Sequence, residues 1–311
     1  MKAVVVSTRH VGSIELRDVA EPVPDSNEAL VSVTGFSLNR GELRRAQSAP
    51  DGTQIGWDLV GVVKSAACDG SGPSEGSRVV GFSRRMRGWA ECVALPTADF
   101  TGIPNAVSDT DAATLPVAGL TALYALERCE RLLGSKVLVT GASGGVGFFA
   151  CQLGKLMGAE VVAHLRRGDF KDMVRATNIN DVVISIDGTG LGSLGKFRAI
   201  IDGVGGDLLS NLLPQLDECG RAILYGVSAG PEATLAVRDL FLTGDGRIEG
   251  FHLYRETEVE SAAKGLDRLL RLLADKRLMT HVPIIENWKD VGETAKQLIE
   301  RDFPGKAVLT I

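Results

Sequence analysis

The stretch from Lys136 to Gly158, KVLVTGASGGVGFFACQLGKLMG, decides the fold of this chain. An apolar run comes first, at 137–139; glycines follow at 141, 144, 145 and 147; apolar residues then recur at the spacing of one helix face. This order predicts a strand, a tight turn and a helix. Glycine in such a turn lets a diphosphate approach the backbone, and the positive end of the helix dipole favours an anion. The stretch is therefore a candidate nucleotide-binding site.

The turn fits two known glycine patterns. In the Rossmann fingerprint G-x-G-x-x-G, Gly144 and Gly147 supply the second and third glycines and Ala142 replaces the first. The T-G-x-x-x-G-x-G pattern of short-chain dehydrogenases also fits, from Thr140 onward. Against that second family, the turn lies far from the N-terminus and no tyrosine is followed four residues later by lysine. The remaining alternative is a closely packed glycine turn that binds no ligand.

Composition limits the classes of partner. The chain has 311 residues, 44% of them apolar and 23% charged, and a net charge of -5. It therefore has no basic field that would attract nucleic acid or anionic lipid. The N-terminal apolar run is too short for a signal peptide, and no window approaches the roughly 18 apolar residues of a membrane span. We expect a cytoplasmic protein without a nucleic-acid or membrane partner.

The cysteines indicate neither disulfides nor a thiolate metal site. There are five, an odd number, scattered along the chain without any C-x-x-C pair. A disulfide framework would need even numbers at regular spacing, and structural zinc sites use closely spaced pairs. We expect buried structural thiols.

The chain divides into two kinds of pattern. Short runs rich in Val and Ile, separated by turn residues, predict a barrel with strands at 2–6, 14–18, 29–35, 59–65, 78–81 and 90–95. After a helical join, in which a second helix ends at Gly134, strands and helices alternate and predict a doubly wound parallel sheet with strands at 137–140, 160–164, 181–185, 199–202, 221–225 and 248–253.

The sequence pattern in the last part of the chain is more similar to that of the N-terminal region than to that of the Rossmann region. A long amphipathic helix is predicted at 261–274, followed by a strand, a helix and a final strand. The predicted fold class is α/β. We assign 1–113 and 251–311 to a barrel domain of the GroES-like type and 114–250 to a Rossmann dinucleotide-binding domain.

Several segments together carry a family resemblance. In chain order they are GWDLVGVV (56–63), GSRVVG (76–81), GWAE (88–91), LPVAGLTA (115–122), the glycine turn, IDGVGG (201–206) and GKAVL (305–309). In this order and spacing the chain resembles the zinc-free, quinone oxidoreductase-like (zeta-crystallin-like) medium-chain dehydrogenases/reductases over essentially its whole length. The resemblance implies a GroES-like barrel plus a Rossmann domain, an active site in the cleft between them, and a homodimer.

The resemblance also implies that no metal takes part. Zinc-containing members carry a ligand cysteine near the position of Ser37, and a Gly-His-Glu where this chain has Gly56-Trp57-Asp58. The thiolate and the imidazole are both absent, so no Lewis acid is left to stabilise an alkoxide. The expected reaction is NADPH-dependent hydride transfer to a quinone or an α,β-unsaturated carbonyl compound. The alternatives are an enoyl or alkenal C=C reductase, and an NADPH-binding structural or interaction protein without significant turnover.

Asn39 is the expected catalytic residue. The resemblance places it next to the nicotinamide and the substrate, where its amide can donate to a developing oxyanion or hold the ribose; the alternative is a turn asparagine that bonds its own backbone. Asp58 can form a structural salt bridge or act in catalysis, and Trp57 can belong to the core or narrow the pocket. No tyrosine occurs within 41–50, so the proton donor is unassigned.

The cofactor residues follow from the turn, the strand ends and the resemblance. Those expected to line the nicotinamide and the diphosphate are Thr121, Ser143, Gly144, Gly145 and Val146. Those expected after later strands, at the carboxyl edge of the sheet, are Val204, Gly226, Val227 and Ser228, the last three close to the nicotinamide ribose.

The end of the second Rossmann strand predicts NADPH rather than NADH. NAD enzymes usually place an acid about 20 residues beyond the glycine turn. Here that position is His164, and Arg166 and Arg167 follow it. A guanidinium can hold a 2′-phosphate through two parallel hydrogen bonds. The alternative is that both arginines are solvated residues at the start of the next helix.

Overall fold

The computed structural model describes all residues, 1–311, and they form two compact units. The barrel unit comprises Met1–Leu120 and Tyr254–Ile311, and the Rossmann unit comprises Thr121–Leu253. The chain thus changes unit after Leu120 and at Tyr254, compared with the predicted limits after 113 and at 251. None of the helices combines the length and the apolar character that a membrane crossing needs.

The strands are, in chain order, β1 (Lys2–Val6), β2 (Ile14–Asp18), β3 (Glu28–Ser37), β4 (Asp58–Ser65), β5 (Arg78–Phe82), β6 (Cys92–Pro96), β7 (Phe100–Gly102), β8 (Lys136–Thr140), β9 (Glu160–Leu165), β10 (Asp181–Ile184), β11 (Phe197–Asp202), β12 (Leu216–Leu224), β13 (Arg247–Gly250), β14 (Ile284–Asn287) and β15 (Ala307–Thr310). The α-helices are α1 (Arg40–Ala46), α2 (Asp109–Ala113), α3 (Leu120–Glu127), α4 (Gly145–Leu156), α5 (Lys171–Arg175), α6 (Gly206–Leu212), α7 (Val237–Leu242), α8 (Leu253–Val259), α9 (Ala262–Ala274) and α10 (Val291–Glu300).

The barrel unit brings three strand ends together. Its main sheet has the order β14-β15-β3-β4-β5-β7, with β6 paired to β3. Within it, β3 pairs antiparallel with β4 and with β15, and Val308 lies opposite Ser37. The end of β3, the start of β4 and the residue before β15 are therefore neighbours. Because β15 belongs to this sheet, the C-terminal segment lies in the barrel unit.

The Rossmann unit is a six-stranded parallel sheet in the order β10-β9-β8-β11-β12-β13. Its central strands are apolar runs that are buried along nearly their whole length, as in parallel sheets covered on both faces. The chain first moves outward from β8 to β10 and then crosses back to β11. The order therefore reverses between β8 and β11, and ligands of such sheets bind at this switch point, beyond the carboxyl ends of the strands. The predicted α/β fold class, a GroES-like barrel plus a Rossmann sheet, is confirmed.

Several local predictions were wrong. The helix expected to end at Gly134 ends at Glu127, since Glu130 and Arg131 have φ values of 42° and 50° that no α-helix tolerates. The last Rossmann strand ends at Gly250 rather than 253. Helix α1 and the short strand β7 were not predicted, because both are too short to show a clear period.

Candidate active site

The glycine turn connects β8 to α4 at the switch point of the sheet. Gly141 adopts a left-handed φ of 59°, which glycine tolerates without strain. The N–H of Gly144 donates to the carbonyl of Gly141 over 2.9 Å, which closes the turn. Helix α4 then begins at Gly145, with Gly144 as its N-cap residue. The first N–H groups of a 12-residue helix, together with its dipole, therefore point out of the carboxyl edge of the sheet.

Glycine is required at two positions of this turn for different reasons. A Cβ added to Gly147 would lie 2.5 Å from the carbonyl oxygen of Gly141 and 2.7 Å from the Cα of Ala142, so Gly147 is needed for close packing of the helix on the strand. A Cβ added to Gly144 would meet nothing closer than 3.4 Å, and Gly144 is exposed. The open space at Gly144 fits a diphosphate that approaches the backbone.

The buried side chain of Asp202 holds the end of β8 to the loop after β11 by hydrogen bonds at the switch point. The hydroxyl of Thr140, the last residue of β8, donates to Oδ1 of Asp202 over 2.6 Å, and the N–H of Gly205 donates to Oδ2 over 2.8 Å. The hydroxyl of Thr140 also accepts from the N–H of Gly203 over 3.1 Å. Asp202 is fully buried, and burial raises the pKa of its carboxyl above the usual value. Sequence reasoning did not assign Asp202 a role, although Asp202 lies in the segment IDGVGG that contributes to the family resemblance.

The other predicted cofactor residues lie in helix α3, in the glycine turn and in the loops after β11 and β12. Thr121 is buried near the start of α3, while Ser143 and Val146 are half-buried beside the exposed Gly144. The loop after β12 is held to the loop after β11, since the N–H of Ser228 donates to the carbonyl of Gly203 over 3.2 Å. This contact brings together the remaining residues expected there, which are Val204, Gly226 and Val227.

His164 and the two arginines end β9 and begin the following loop. His164 is 2% exposed, and its Nε2 lies 3.0 Å from the carbonyl oxygen of Ser185, so Nε2 carries the hydrogen. Burial lowers the pKa of His164 below its usual value, which keeps the ring neutral. Its Nδ1 is buried without a hydrogen-bond partner. Arg166 and Arg167 are exposed in the loop before a short 3-10 helix at Gly168–Phe170.

The barrel unit contains a buried polar centre, defined here as Ser37, Asn39, Glu42, Asp58 and Lys306. Its hub is Asp58, whose Oδ2 accepts from the Ser37 hydroxyl over 2.6 Å and lies 3.1 Å from Nζ of Lys306. The Oδ1 of Asp58 accepts from the N–H of Val117 over 2.9 Å. Asp58 is fully buried and Lys306 is 4% exposed. Of the two roles open for Asp58, the structure shows the salt bridge.

The amide of Asn39 is fully engaged inside the polar centre. Its Nδ2 donates to Oδ2 of Asp58 over 2.7 Å and to Oε2 of Glu42 over 3.2 Å, while its Oδ1 accepts from Nζ of Lys306 over 2.6 Å. Two carboxyl groups on one side and an ammonium on the other fix the orientation of the amide. An amide NH₂ has two hydrogens, and both are bound. This arrangement leaves Asn39 no hydrogen for a developing oxyanion, so it counts against the donor role expected from the resemblance.

Glu42 supplies the second carboxyl group of the centre. It is fully buried and accepts from the backbone N–H groups of Asn39, over 2.7 Å, and of Trp57. Burial, and then the negative charge of Asp58, raise the pKa of Glu42 to about 8. Sequence reasoning missed both Glu42 and Lys306. The spacing Asn39-x-x-Glu42 is a capping-box pattern at the start of α1 and could have drawn attention to Glu42.

Trp57 joins the polar centre to Tyr254. Its indole Nε1 donates to the hydroxyl oxygen of Tyr254 over 2.6 Å, and the two rings meet edge to face. Tyr254 also packs edge to face on Phe82, with ring centroids 5.5 Å apart, and the guanidinium of Arg84 lies 5.9 Å from the centroid of its ring. Trp57 is half-buried, at the border of the core, so it is available to shape a pocket as well.

The chain is similar to several known proteins, although no protein-family model matches it. It is 32% identical to the chloroplastic quinone-oxidoreductase homolog of Spinacia oleracea, over 70% of this chain and 71% of that protein. It is 25% identical to the acryloyl-coenzyme A reductase of Metallosphaera sedula over the full length of both.

Among solved structures, the quinone oxidoreductase of Escherichia coli complexed with NADPH superposes over the whole of both chains with a TM-score of 0.88 at 20% identity, which shows a common fold. The similarity to the spinach protein extends over more than two thirds of both chains. With this similarity, a glycine turn at the switch point and a GroES-like barrel, the chain belongs to the quinone oxidoreductase-like family of medium-chain dehydrogenases/reductases.

Proposed function

We propose that this protein is an NADPH-dependent oxidoreductase that transfers a hydride to a quinone or to an α,β-unsaturated carbonyl compound. The observation that carries the proposal is the exposed Gly144 turn at the switch point of the parallel sheet, where an added Cβ would meet nothing closer than 3.4 Å. The Escherichia coli protein with the same fold was solved in complex with NADPH, and the spinach relative is named for quinone reduction. Both support the cofactor and the acceptor class.

NADPH supplies the hydride when it is bound, and the residues of this chain bind and orient it. We propose that the N–H groups at the start of α4 and the open space at Gly144 hold the diphosphate, with Ser143, Gly145 and Val146 beside it. We further assign Thr121, Val204, Gly226, Val227 and Ser228 to the nicotinamide end, and His164, Arg166 and Arg167 to the adenosine end. Asn39 remains in the proposal as the residue that organises the polar centre.

We propose that the reaction needs no metal ion. The support comes from the polar centre, where the ammonium of Lys306 already neutralises Asp58 and the other oxygen of Asp58 accepts from a backbone N–H. A quinone or an enone requires less electrostatic stabilisation of its oxygen than a simple ketone does. The negative charge left by hydride addition is delocalised onto a conjugated oxygen.

A second candidate is a C=C reductase. The Metallosphaera sedula relative, named acryloyl-coenzyme A reductase, aligns with the whole chain, which favours an activated double bond as an alternative acceptor. In both candidates the hydride donor is the same, and only the acceptor differs.

An acceptor screen tests the reaction. With NADPH in excess, we expect the absorbance at 340 nm to fall when 1,4-benzoquinone or 9,10-phenanthrenequinone is added, and the rate to be unchanged by a chelator such as EDTA. Faster oxidation with enones, enals or acryloyl thioesters would establish the second candidate instead. Binding of NADPH without oxidation by any acceptor would contradict the enzymatic proposal and indicate a binding protein. Loss of activity with the chelator would contradict metal independence.

We also propose a cytoplasmic homodimer. Its support is an exposed apolar face on α7, where Val237 is 75% and Phe241 is 78% exposed, next to the edge strand β13. Large exposed apolar side chains beside an unpaired sheet edge are typical of an interface. Light scattering should give a mass near twice 32.9 kDa, and Phe241→Glu should give a monomer. A native mass of one chain would contradict the dimer.

A further inference from the structure

The barrel unit contains a cavity of about 640 Å³ that the proposed reaction does not use. All of its lining residues lie between positions 1 and 94, and none of them belongs to the polar centre or to the residues assigned to the cofactor. Small-molecule sites typically occupy roughly 300–1,000 Å³. The walls of the cavity are strand β6, the segment 19–23 after β2, the turn 83–87 after β5, and the segment 52–54.

Strand β6 has an open edge at this cavity. It pairs only with β3, and in this pairing Cys92 lies opposite Ser32. The N–H of Val33 donates to the carbonyl of Glu91 over 3.1 Å. That bond makes Ser32 and Cys92 a non-hydrogen-bonded pair, so the N–H and C=O groups of Cys92 point away from β3, as do those of Ala94. An open strand edge pairs with an extended peptide backbone.

The turn after β5 places two arginines at the cavity. The N–H of Met86 donates to the carbonyl of Ser83 over 2.9 Å, and the N–H of Arg87 donates to the hydroxyl oxygen of Ser83 over 3.1 Å. Met86 has a left-handed φ of 56°, and its side chain is buried in the core, which holds this unusual conformation. Arg85 and Arg87, on either side of Met86, are exposed and line the cavity.

Only one of the two arginines is free to bind an anion. Nη1 of Arg85 lies 2.8 Å from Oε1 of Glu28, which is buried, so Arg85 is already neutralised. The guanidinium of Arg87 is exposed and contacts no carboxylate. A guanidinium can hold a carboxylate through two parallel hydrogen bonds. Arg87 is therefore the anion-binding group of the cavity.

A negative charge lines a different wall. Glu21 is the one acidic residue among the lining residues. Burial is the main cause that raises the pKa of the Cys92 thiol, the positive charge of Lys64 opposes it, and the negative charge of Glu21 adds to it. Glu21 thus lies close to Cys92 on β6, whereas Arg87 belongs to the turn after β5. Together the walls offer a cation, an anion and an open strand edge.

We propose that this cavity binds a short peptide with free ends, of dipeptide size. The carboxylate of the peptide binds Arg87 and its ammonium binds Glu21. Its peptide group pairs with the open edge of β6 at Cys92 or Ala94, and small apolar side chains contact Val19 and other apolar residues of the walls. A simple anion would use only the first of these contacts. The site is independent of hydride transfer, because none of its residues is assigned to the cofactor or the acceptor.

Calorimetric titration of the cofactor-free protein with the dipeptide Val-Val tests the site. We expect a dissociation constant below about 1 mM. Val-Val-amide lacks the carboxylate and N-acetyl-Val-Val lacks the ammonium, so each should bind about 3- to 10-fold more weakly. Equal binding of the three compounds would indicate a nonspecific apolar cavity and overturn the proposal. No binding of Val-Val at about ten times that concentration would overturn it as well.

Variants assign each contact to its residue. Arg87→Ala should bind Val-Val and Val-Val-amide equally, because the carboxylate has lost its partner, and Glu21→Gln should likewise cease to distinguish Val-Val from N-acetyl-Val-Val. Arg277→Ala removes an exposed arginine of the same unit outside the cavity and is the matched control with native affinity. If Arg87→Ala still preferred Val-Val to its amide as the native protein does, the carboxylate would bind elsewhere and the proposal would be wrong.

A proline on β6 tests the pairing with the strand edge. Ala94→Pro removes an N–H that the ladder with β3 does not use, and edge strands tolerate proline at such positions. We expect a melting temperature close to native and binding of Val-Val at least about threefold weaker, as for loss of one hydrogen bond. Native affinity in folded Ala94→Pro would contradict pairing at this residue.

Discussion

Replacing Gly144 with valine is expected to abolish NADPH binding while leaving the protein folded. The nearest atom to an added Cβ at Gly144 is 3.4 Å away, and the backbone there is extended, with a φ of -83° that valine readily adopts. The branched side chain would, however, fill the space that a diphosphate needs above the first turn of α4. We expect the affinity for NADPH to fall at least about 100-fold, or about 2.7 kcal/mol, in a fluorescence titration.

Two further variants show whether the loss at Gly144 is specific. Gly147→Ala should damage the fold itself, since its Cβ would lie 2.5 Å from the carbonyl oxygen of Gly141, and a lower melting temperature should report this. Gly102→Val, at an exposed site of the barrel unit where the nearest atom is 3.9 Å away, should leave both stability and affinity close to native. Native NADPH affinity in folded Gly144→Val would show that the diphosphate does not bind at this turn.

The Rossmann half of the fold was predictable because its signals are local. Strand, turn and helix follow one another within Lys136–Gly158, and each has its own period or glycine requirement. Strands β8 and β9 were predicted to within one residue at each end, whereas the switch point follows from the strand order that the structure shows. The end of α3 was not predictable in this way, because the left-handed conformations of Glu130 and Arg131 are imposed on residue types that favour helices.

The polar centre and its neighbour Tyr254 could not be derived from the sequence. Asp58 and Lys306 are separated by 248 positions, and Trp57 and Tyr254 by 197. No local pattern reports such pairs. The family resemblance pointed to Asn39 and Trp57, but it could not show that the Asn39 amide is satisfied by Asp58 and Glu42. Whether a side chain still has a hydrogen to donate can be judged only when the positions of all its hydrogen-bond partners are known.

Removing both arginines after β9 is expected to remove most of the preference for NADPH over NADH. Arg166 and Arg167 are exposed in the loop that follows the strand, and Oδ2 of Asp169 lies 3.6 Å from Nε of Arg167. His164 stands where NAD enzymes place a carboxylate, so this position itself carries no negative charge to repel a 2′-phosphate; burial lowers the pKa of His164, and the negative charge of Asp187 acts in the opposite direction. We expect native protein to bind NADPH at least about 100-fold more tightly than NADH, equivalent to about 2.7 kcal/mol.

The double variant Arg166→Ala, Arg167→Ala should weaken NADPH binding by about 10- to 100-fold and change NADH binding by less than about twofold, since only the phosphate contacts are lost. Arg131→Ala, Arg175→Ala is the matched control: it removes two exposed arginines from the same unit, and with them the same charge. If the control weakened NADPH binding equally, the effect would be one of net charge rather than of contact. Equal affinity of the native protein for the two cofactors would mean that both arginines are merely solvated, and that the end of β9 does not select the phosphate.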